Sequence, residues 1–124
     1  MSLPLADIRV VDFSQVLVGP CTSMFLADQG AEVIKIEPPE GDSSRINRPI
    51  PGTNDLSFSY LAFNRNRRNI MLDLTKPGGR EVAYRLVRWA DVAVNNLRVS
   101  VPQKLHIAYE DLAPINPRLV YASI

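Results

Sequence analysis

One cysteine, Cys21, and one histidine, His106, are all the sequence has of either type. A lone cysteine excludes an intrachain disulfide, and a histidine without companions at ligand spacing argues against a metal site. Long apolar runs are missing as well, and nothing approaches the roughly 20 residues of a membrane span. The opening MSLPLADIRV lacks the basic start and apolar core of a secretory signal, so a cytoplasmic protein without membrane contact is expected. Net charge is only +1, which removes any general pull toward nucleic acid. The six glycines form neither G-x-G-x-x-G nor a Walker A loop, so NAD or a nucleotide in a glycine-rich cradle is disfavoured. No G-x-S-x-G occurs, and with a single histidine no Ser-His-Asp set can be read.

What is present is an ordinary globular composition, 46% hydrophobic over 124 residues, about one domain long. Residues 8–37 read as one βαβ unit. Ile8, Val10 and Val11 make a β-branched strand that ends at Asp12. Pro20 suits the first turn of a helix, and Gly30 suits its left-handed end. Val33, Ile34 and Ile36 make the second strand apolar on both faces, as in a covered parallel sheet. Residues 38–54, with Pro38, Pro39, Gly41, Pro49, Pro51 and Gly52, read as a long surface loop, functional or mobile. A short helix is expected over 56–63 and a third strand over 69–74. Pro77 opens an amphipathic helix with Val82, Leu86 and Val87 at helical spacing. A fourth strand over 91–95, short helices over 101–105 and 109–115, and a fifth strand over 119–123 complete the pattern. The fold class is α/β: a Rossmann-like, mostly parallel sheet of about five strands with flanking helices, read as an incomplete domain.

Ligands in such sheets bind outside the carboxyl ends of the strands. Ser14 and Gln15 follow the first strand; they satisfy the loop backbone or meet a ligand beside a helix N-terminus. Arg65, Arg67 and Arg68 precede the third strand, either as a solvated basic edge or as phosphate-binding guanidiniums. Asn95 and Asn96 end the fourth strand, where they bond a ligand or cap the next helix. Asp12, Glu37, Asp73 and Asp91 all stand at strand ends. Glu37 occupies the ribose-reading position of dinucleotide enzymes, but without the glycines that role is disfavoured. His106 reads as a solvated or capping residue.

Taken together, LADIRVVDFSQVLVGP, LADQGAEVIKIEPPEGD, FNRNRRNIMLDLTKPGGR, ADVAVNNL and INPRLVYASI resemble the class III coenzyme A transferases, the CaiB/BaiF family, over essentially the whole chain. The resemblance implies a protein that binds coenzyme A or acyl-CoA as substrate, with no metal and no NAD. It puts the cofactor-binding residues at Gln15, Val16 and Leu17 after strand one, Arg68, Leu72, Leu74 and Thr75 around strand three, and Asn96, Leu97 and Lys104 after strand four. It implies transfer of CoA between an acyl-CoA and a small carboxylic acid, through an aspartate that attacks the thioester. No catalytic residue is assigned within residues 1–124, because that aspartate is expected some tens of residues beyond Ile124. Residues 1–124 then form the N-terminal part of the large domain, without the small domain and the C-terminal return segment. An interlocked homodimer is implied for the full-length protein.

Three departures stand out. Pro38 replaces an arginine that several relatives place near the adenine. Leu97-Arg98-Val99-Ser100 replaces an aromatic-x-Pro-Gly turn. Leu17 stands where formyl-type enzymes carry glutamine, which weighs against oxalate or formate. Two other readings stay open: an α-methylacyl-CoA racemase of the same family, and a non-catalytic Rossmann-like module that binds a nucleotide or a protein partner.

Overall fold

The computed structural model describes residues 2–54 and 56–124. Five parallel strands, β1 (Arg9–Asp12), β2 (Glu32–Glu37), β3 (Arg68–Met71), β4 (Val92–Asn95) and β5 (Val120–Ser123), lie in the order β3-β2-β1-β4-β5. The helices are α1 (Val18–Asp28), α2 (Phe58–Phe63), α3 (Pro77–Trp89), α4 (Ser100–Leu105) and α5 (Tyr109–Leu112).

Successive side chains of a strand face opposite sides of the sheet. Val10 therefore joins Ala27, Val33 and Val94 on the α1 side, while Val11 joins Ala83, Val87, Ile107 and Leu112 on the other. Both faces of β1 are thus covered, which is why its sequence shows a continuous apolar run rather than an alternation. Val10 is paired with Val33 on one side and with Val92 on the other. The chain leaves β1 for β2 on one flank, then crosses back to place β4 on the other. That reversal of strand order opens a crevice between the carboxyl ends of β1 and β4.

Element boundaries differ from the sequence reading in ways that local chemistry explains. Helix α1 begins two residues before Pro20, which still lies in the first turn where no N–H is needed. Gly30 takes φ +103° after that helix, as its position suggested. Strand β3 stops at Met71, short of the expected Leu74, because Asp73 turns the chain. Its Oδ1 accepts from the Thr75 amide at 3.0 Å and from the Thr75 hydroxyl at 2.5 Å. Helix α5 ends at Leu112 rather than residue 115, just before the helix-disfavouring pair Ala113-Pro114.

Residues 38–54 are more ordered than their proline and glycine content suggests. Asp42 caps a 3-10 turn, Ser43–Ile46, by accepting from the Ser44 amide at 2.9 Å. Gly41, Asp42 and Ser44 are buried. Pro49 bridges to Ser57, and the Ser57 hydroxyl caps α2 by accepting from the Tyr60 amide at 3.0 Å. The segment is a strap tied to β2 through Asp42 and Arg45, while most of residues 46–54 lie exposed on the surface as a loop there should.

Candidate functional site

At the carboxyl ends of the strands lies a cavity of about 420 Å³, within the size range of small-molecule sites. Phe13 and Gln15 enter it from β1, residues 36–40 from β2, residues 72–75 from β3, and Leu97, Leu105 and Ile107 from the chain after β4. A second cavity, of about 410 Å³, sits at the opposite end of the sheet around Arg9, Trp89 and Arg118. The topology favours the first, because parallel sheets present their loops and ligands at the carboxyl edge.

Five residues expected from the sequence meet in this chamber: Gln15, Leu72, Leu74, Thr75 and Leu97. Val16 and Leu17 continue the loop from Gln15 and are 50% and 45% exposed. Asn96 turns its amide to that loop instead. Its Oδ1 accepts from the Gln15 amide and its Nδ2 donates to the Gln15 carbonyl, both at 2.8 Å. The neighbouring Asn95 accepts from the Leu97 amide at 3.2 Å, while its buried Nδ2 has no partner among the described residues. Lys104 is exposed on α4, one residue before the chamber-lining Leu105. Arg68 stands at the amino end of β3, away from the chamber, and pairs with Glu32.

The arginine run divides three ways. Arg65 pairs with Asp28 at 2.6 Å on the surface, and Arg68 with Glu32, also on the surface. Arg67 is drawn inside, its side chain 2% exposed, and bonds the fully buried Asp12 at 2.6 Å. Ser14 and Ser23 donate to the same carboxylate. Arg65 and Arg68 thus form a solvated edge, each paired with a carboxylate, while Arg67 is committed to the interior.

Two further buried networks underlie the chamber. Glu37 accepts from Arg45 through both carboxylate oxygens, at 2.7 and 2.9 Å, and from the Tyr60 hydroxyl at 2.8 Å. Burial pushes the Glu37 carboxyl up. Arg45, the Asp42 amide and Tyr60 outweigh that and hold it below its ordinary value. Burial beside Glu37 raises the Tyr60 hydroxyl well above its usual range, and the Arg45 guanidinium lies 4.1 Å from the Tyr60 ring centre. Asp42 forms a fully buried pair with Lys35, which also donates to Asn64 at 3.0 Å. Its carboxyl is pushed up by burial but held low overall by Lys35 and the Ser44 amide.

Asp42, Arg45 and Tyr60 of these networks were missed as site residues in the sequence. A signal existed for Asp42, whose spacing to Ser44 is that of a turn in which a carboxylate binds the amide two residues on. Asp73, named only as a strand-end carboxylate, stands at the same spacing from Thr75; Glu40 and Ile107 were missed too, and no local motif marks them. The chamber wall carries the acidic Glu37, Glu40 and Asp73 and, among the described residues, no basic side chain. Arg80, also missed, orders the wall by donating to the carbonyls of Leu74 and Thr75, both at 3.1 Å. No group of three or more His, Cys, Asp or Glu among the described residues is placed to hold a metal. No helix among them is long and apolar enough to cross a membrane.

Known proteins share this architecture. Residues 5–124 match the family model described as CoA-transferase family III. The acetyl-CoA:oxalate CoA-transferase of Acetobacter aceti is 44% identical over 97% of this chain and 31% of its own length. The succinate–glutarate CoA-transferase of Agrobacterium fabrum is 42% identical over 98% of the chain and 32% of its own length. The crystal structure of a CAIB/BAIF family protein from Brucella suis superposes with a TM-score of 0.92 at 37% identity, covering 99% of this chain and 33% of that one. The chain therefore spans about a third of the length of the relatives it matches. With a family model matched over residues 5–124, the chain belongs to CoA-transferase family III.

Proposed function

We propose that this chain is the CoA-binding N-terminal portion of an acyl-CoA:carboxylate CoA-transferase. The observation that carries the reading is the chamber itself, which draws apolar side chains from four βα connections to the switch point of the sheet. Phe13, Ile36, Leu72, Leu74, Leu97 and Ile107 suit the pantetheine arm and a flat base. The chamber is too small for all of CoA, so the phosphates extend past its mouth. Lys76 and Lys104, which take no carboxylate partner among the described residues, are the cations proposed to meet them. Gln15, Val16 and Leu17 face the thioester end.

The reacting carboxylate is proposed to lie in the remaining two-thirds of the full-length protein. Asp12 and Asp42 are buried in ion pairs, Asp73 is engaged by Thr75, and Asp91 accepts from the Arg9 amide at the far end of the sheet. None has the free, substrate-facing carboxylate that attack on a thioester requires. Transferase chemistry is preferred to racemisation because the relatives described above are named as CoA-transferases. The acceptor is a small carboxylic acid. Oxalate in the name of the Acetobacter aceti relative keeps it among the candidates despite Leu17. The interlocked homodimer and a cytoplasmic location belong to the same proposal for the full-length protein. The exposed apolar side chains of Phe25, Phe58 and Leu61 are consistent with further contacts there.

Thermal unfolding with added ligand tests the reading. A ligand at a hundred times its dissociation constant stabilises the folded state by about 2.7 kcal/mol, so saturating CoA is expected to raise Tm by several degrees. Pantetheine and adenosine 3′,5′-bisphosphate are each expected to give part of that rise. No shift at millimolar CoA overturns the proposal.

A further inference from the structure

The loop between β1 and α1 is held in an uncommon shape. Val16 has φ +69°, in the left-handed region. The other non-glycine residues there, Arg48, Asn54, Asn66 and His106, are unbranched at Cβ. A β-branched residue in this region is a genuine outlier, and such conformations persist only where the surroundings fix them. Val16 packs little, being half exposed, so side-chain burial does not fix it. Its backbone does. The Val16 amide donates to both carboxylate oxygens of Asp42, each at 3.1 Å.

Asp42 is itself fixed from behind. It pairs with the fully buried Lys35, takes the amide and hydroxyl of Ser44, at 2.9 and 2.8 Å, and gives its own amide to Glu37 at 3.0 Å. On the other side of the loop, Asn96 grips both backbone polar groups of Gln15. Gly19 closes the arrangement: a Cβ there would stand 2.1 Å from the Ser14 Cβ. The loop thus hangs between a carboxylate from the strap and an amide from the end of β4.

We propose that Asp42 is a positioning residue for the ligand-facing loop. Its buried carboxylate holds Val16 in the left-handed conformation and so presets the backbone of Gln15, Val16 and Leu17 for the thioester end of CoA. This rests on the reading of that loop as CoA-facing. The advantage is pre-organisation, since a loop ordered before binding loses less freedom on binding. Asp42 touches no ligand in this arrangement and acts through Val16.

Substituting Asp42 also disturbs the Lys35 pair, so the decisive variants are at Val16. Val16→Gly and Val16→Pro both remove the β-branched side chain and leave the Asp42 and Lys35 side chains in place. Glycine enters the left-handed region freely. Proline is locked near φ −65° and has no amide hydrogen for Asp42. CoA titration of the 124-residue chain by calorimetry is expected to give an affinity about tenfold weaker for Val16→Pro than for Val16→Gly. Equal affinity for the two variants overturns the proposal.

Amide exchange followed by NMR reads the clamp without CoA. The Val16 amide is expected to exchange more slowly than that of Leu17, and Asp42→Asn to speed Val16 exchange about tenfold. Asn64→Ala, which loosens Lys35 without touching the loop, should lower stability and leave Val16 exchange as it was. An unprotected Val16 amide in the unmodified chain also overturns the proposal. Should the chain bind no CoA while Val16 is protected, the CoA reading falls and the clamp stands.

Discussion

Arg67 shows what a single residue's surroundings decide. Its guanidinium and the Asp12 carboxylate are both withdrawn from water, whereas one residue later Arg68 is 68% exposed in its pair with Glu32. Burial lowers the Arg67 pKa from its ordinary value, with Asp12 opposing the shift. Removing one partner of a buried pair leaves the other uncompensated and costs about 3–5 kcal/mol. An exposed pair contributes about 0–1 kcal/mol. Arg67→Met is therefore expected to lower the urea midpoint steeply and Arg68→Met hardly at all, in equilibrium unfolding of the same chain. Comparable losses would contradict the division. None of it was legible in the sequence, where the two arginines stand side by side in one basic run. Which of them faces inward depends on the path of the chain into β3, and that path depends on residues far away.

At the scale of elements, the strands were legible because burial on both faces demands runs such as Val10-Val11 and Val33-Ile34, whatever else the chain does. The strap over residues 38–54 was not, because its order comes from single polar contacts rather than periodic packing. Those contacts are ionic, which gives the strap an acid sensitivity. Glu37 and Asp42 are both held below their ordinary values of 4.5 and 3.8. A carboxylate with a depressed folded pKa adds stability above its unfolded pKa, and that stability is lost as pH falls toward the folded value. Asp28 and Asp73, lowered by Arg65 and Thr75 respectively, act in the same direction from partly exposed positions. The urea midpoint is expected to hold steady from pH 7 to about 5.5 and to fall below about pH 5. Glu37→Gln should start from a lower midpoint and show a shallower fall. A midpoint unchanged between about pH 6 and 3.5 would rule out this account of the strap.

The whole molecule separates charge from shape. Topology brings the apolar walls together, and that much follows from a βαβ pattern with a reversal after β3. The polarity of the mouth does not follow, since the chamber wall is acidic while the chain is nearly neutral overall. With a net charge of +1 there is little long-range attraction for a polyanion, so phosphate binding must come from local cations close to the mouth. Lys76 is the N-cap residue of α3 beside Thr75, and Lys104 precedes Leu105 on α4. Exposed ion pairs of this kind contribute about 0.2–1 kcal/mol each. Lys76→Ala and Lys104→Ala should therefore each weaken CoA about two- to fivefold, and leave the affinity for pantetheine, which has no phosphate, unchanged. Glu40→Gln should act oppositely and tighten CoA, by removing a like charge from the wall. Raising salt should shrink all three effects together, since exposed charges are screened beyond about 8 Å at physiological ionic strength. If the double lysine variant binds CoA as tightly as the unmodified chain at low salt, the phosphates leave the chamber by another route, and the orientation proposed for the ligand is wrong even where the chamber is right.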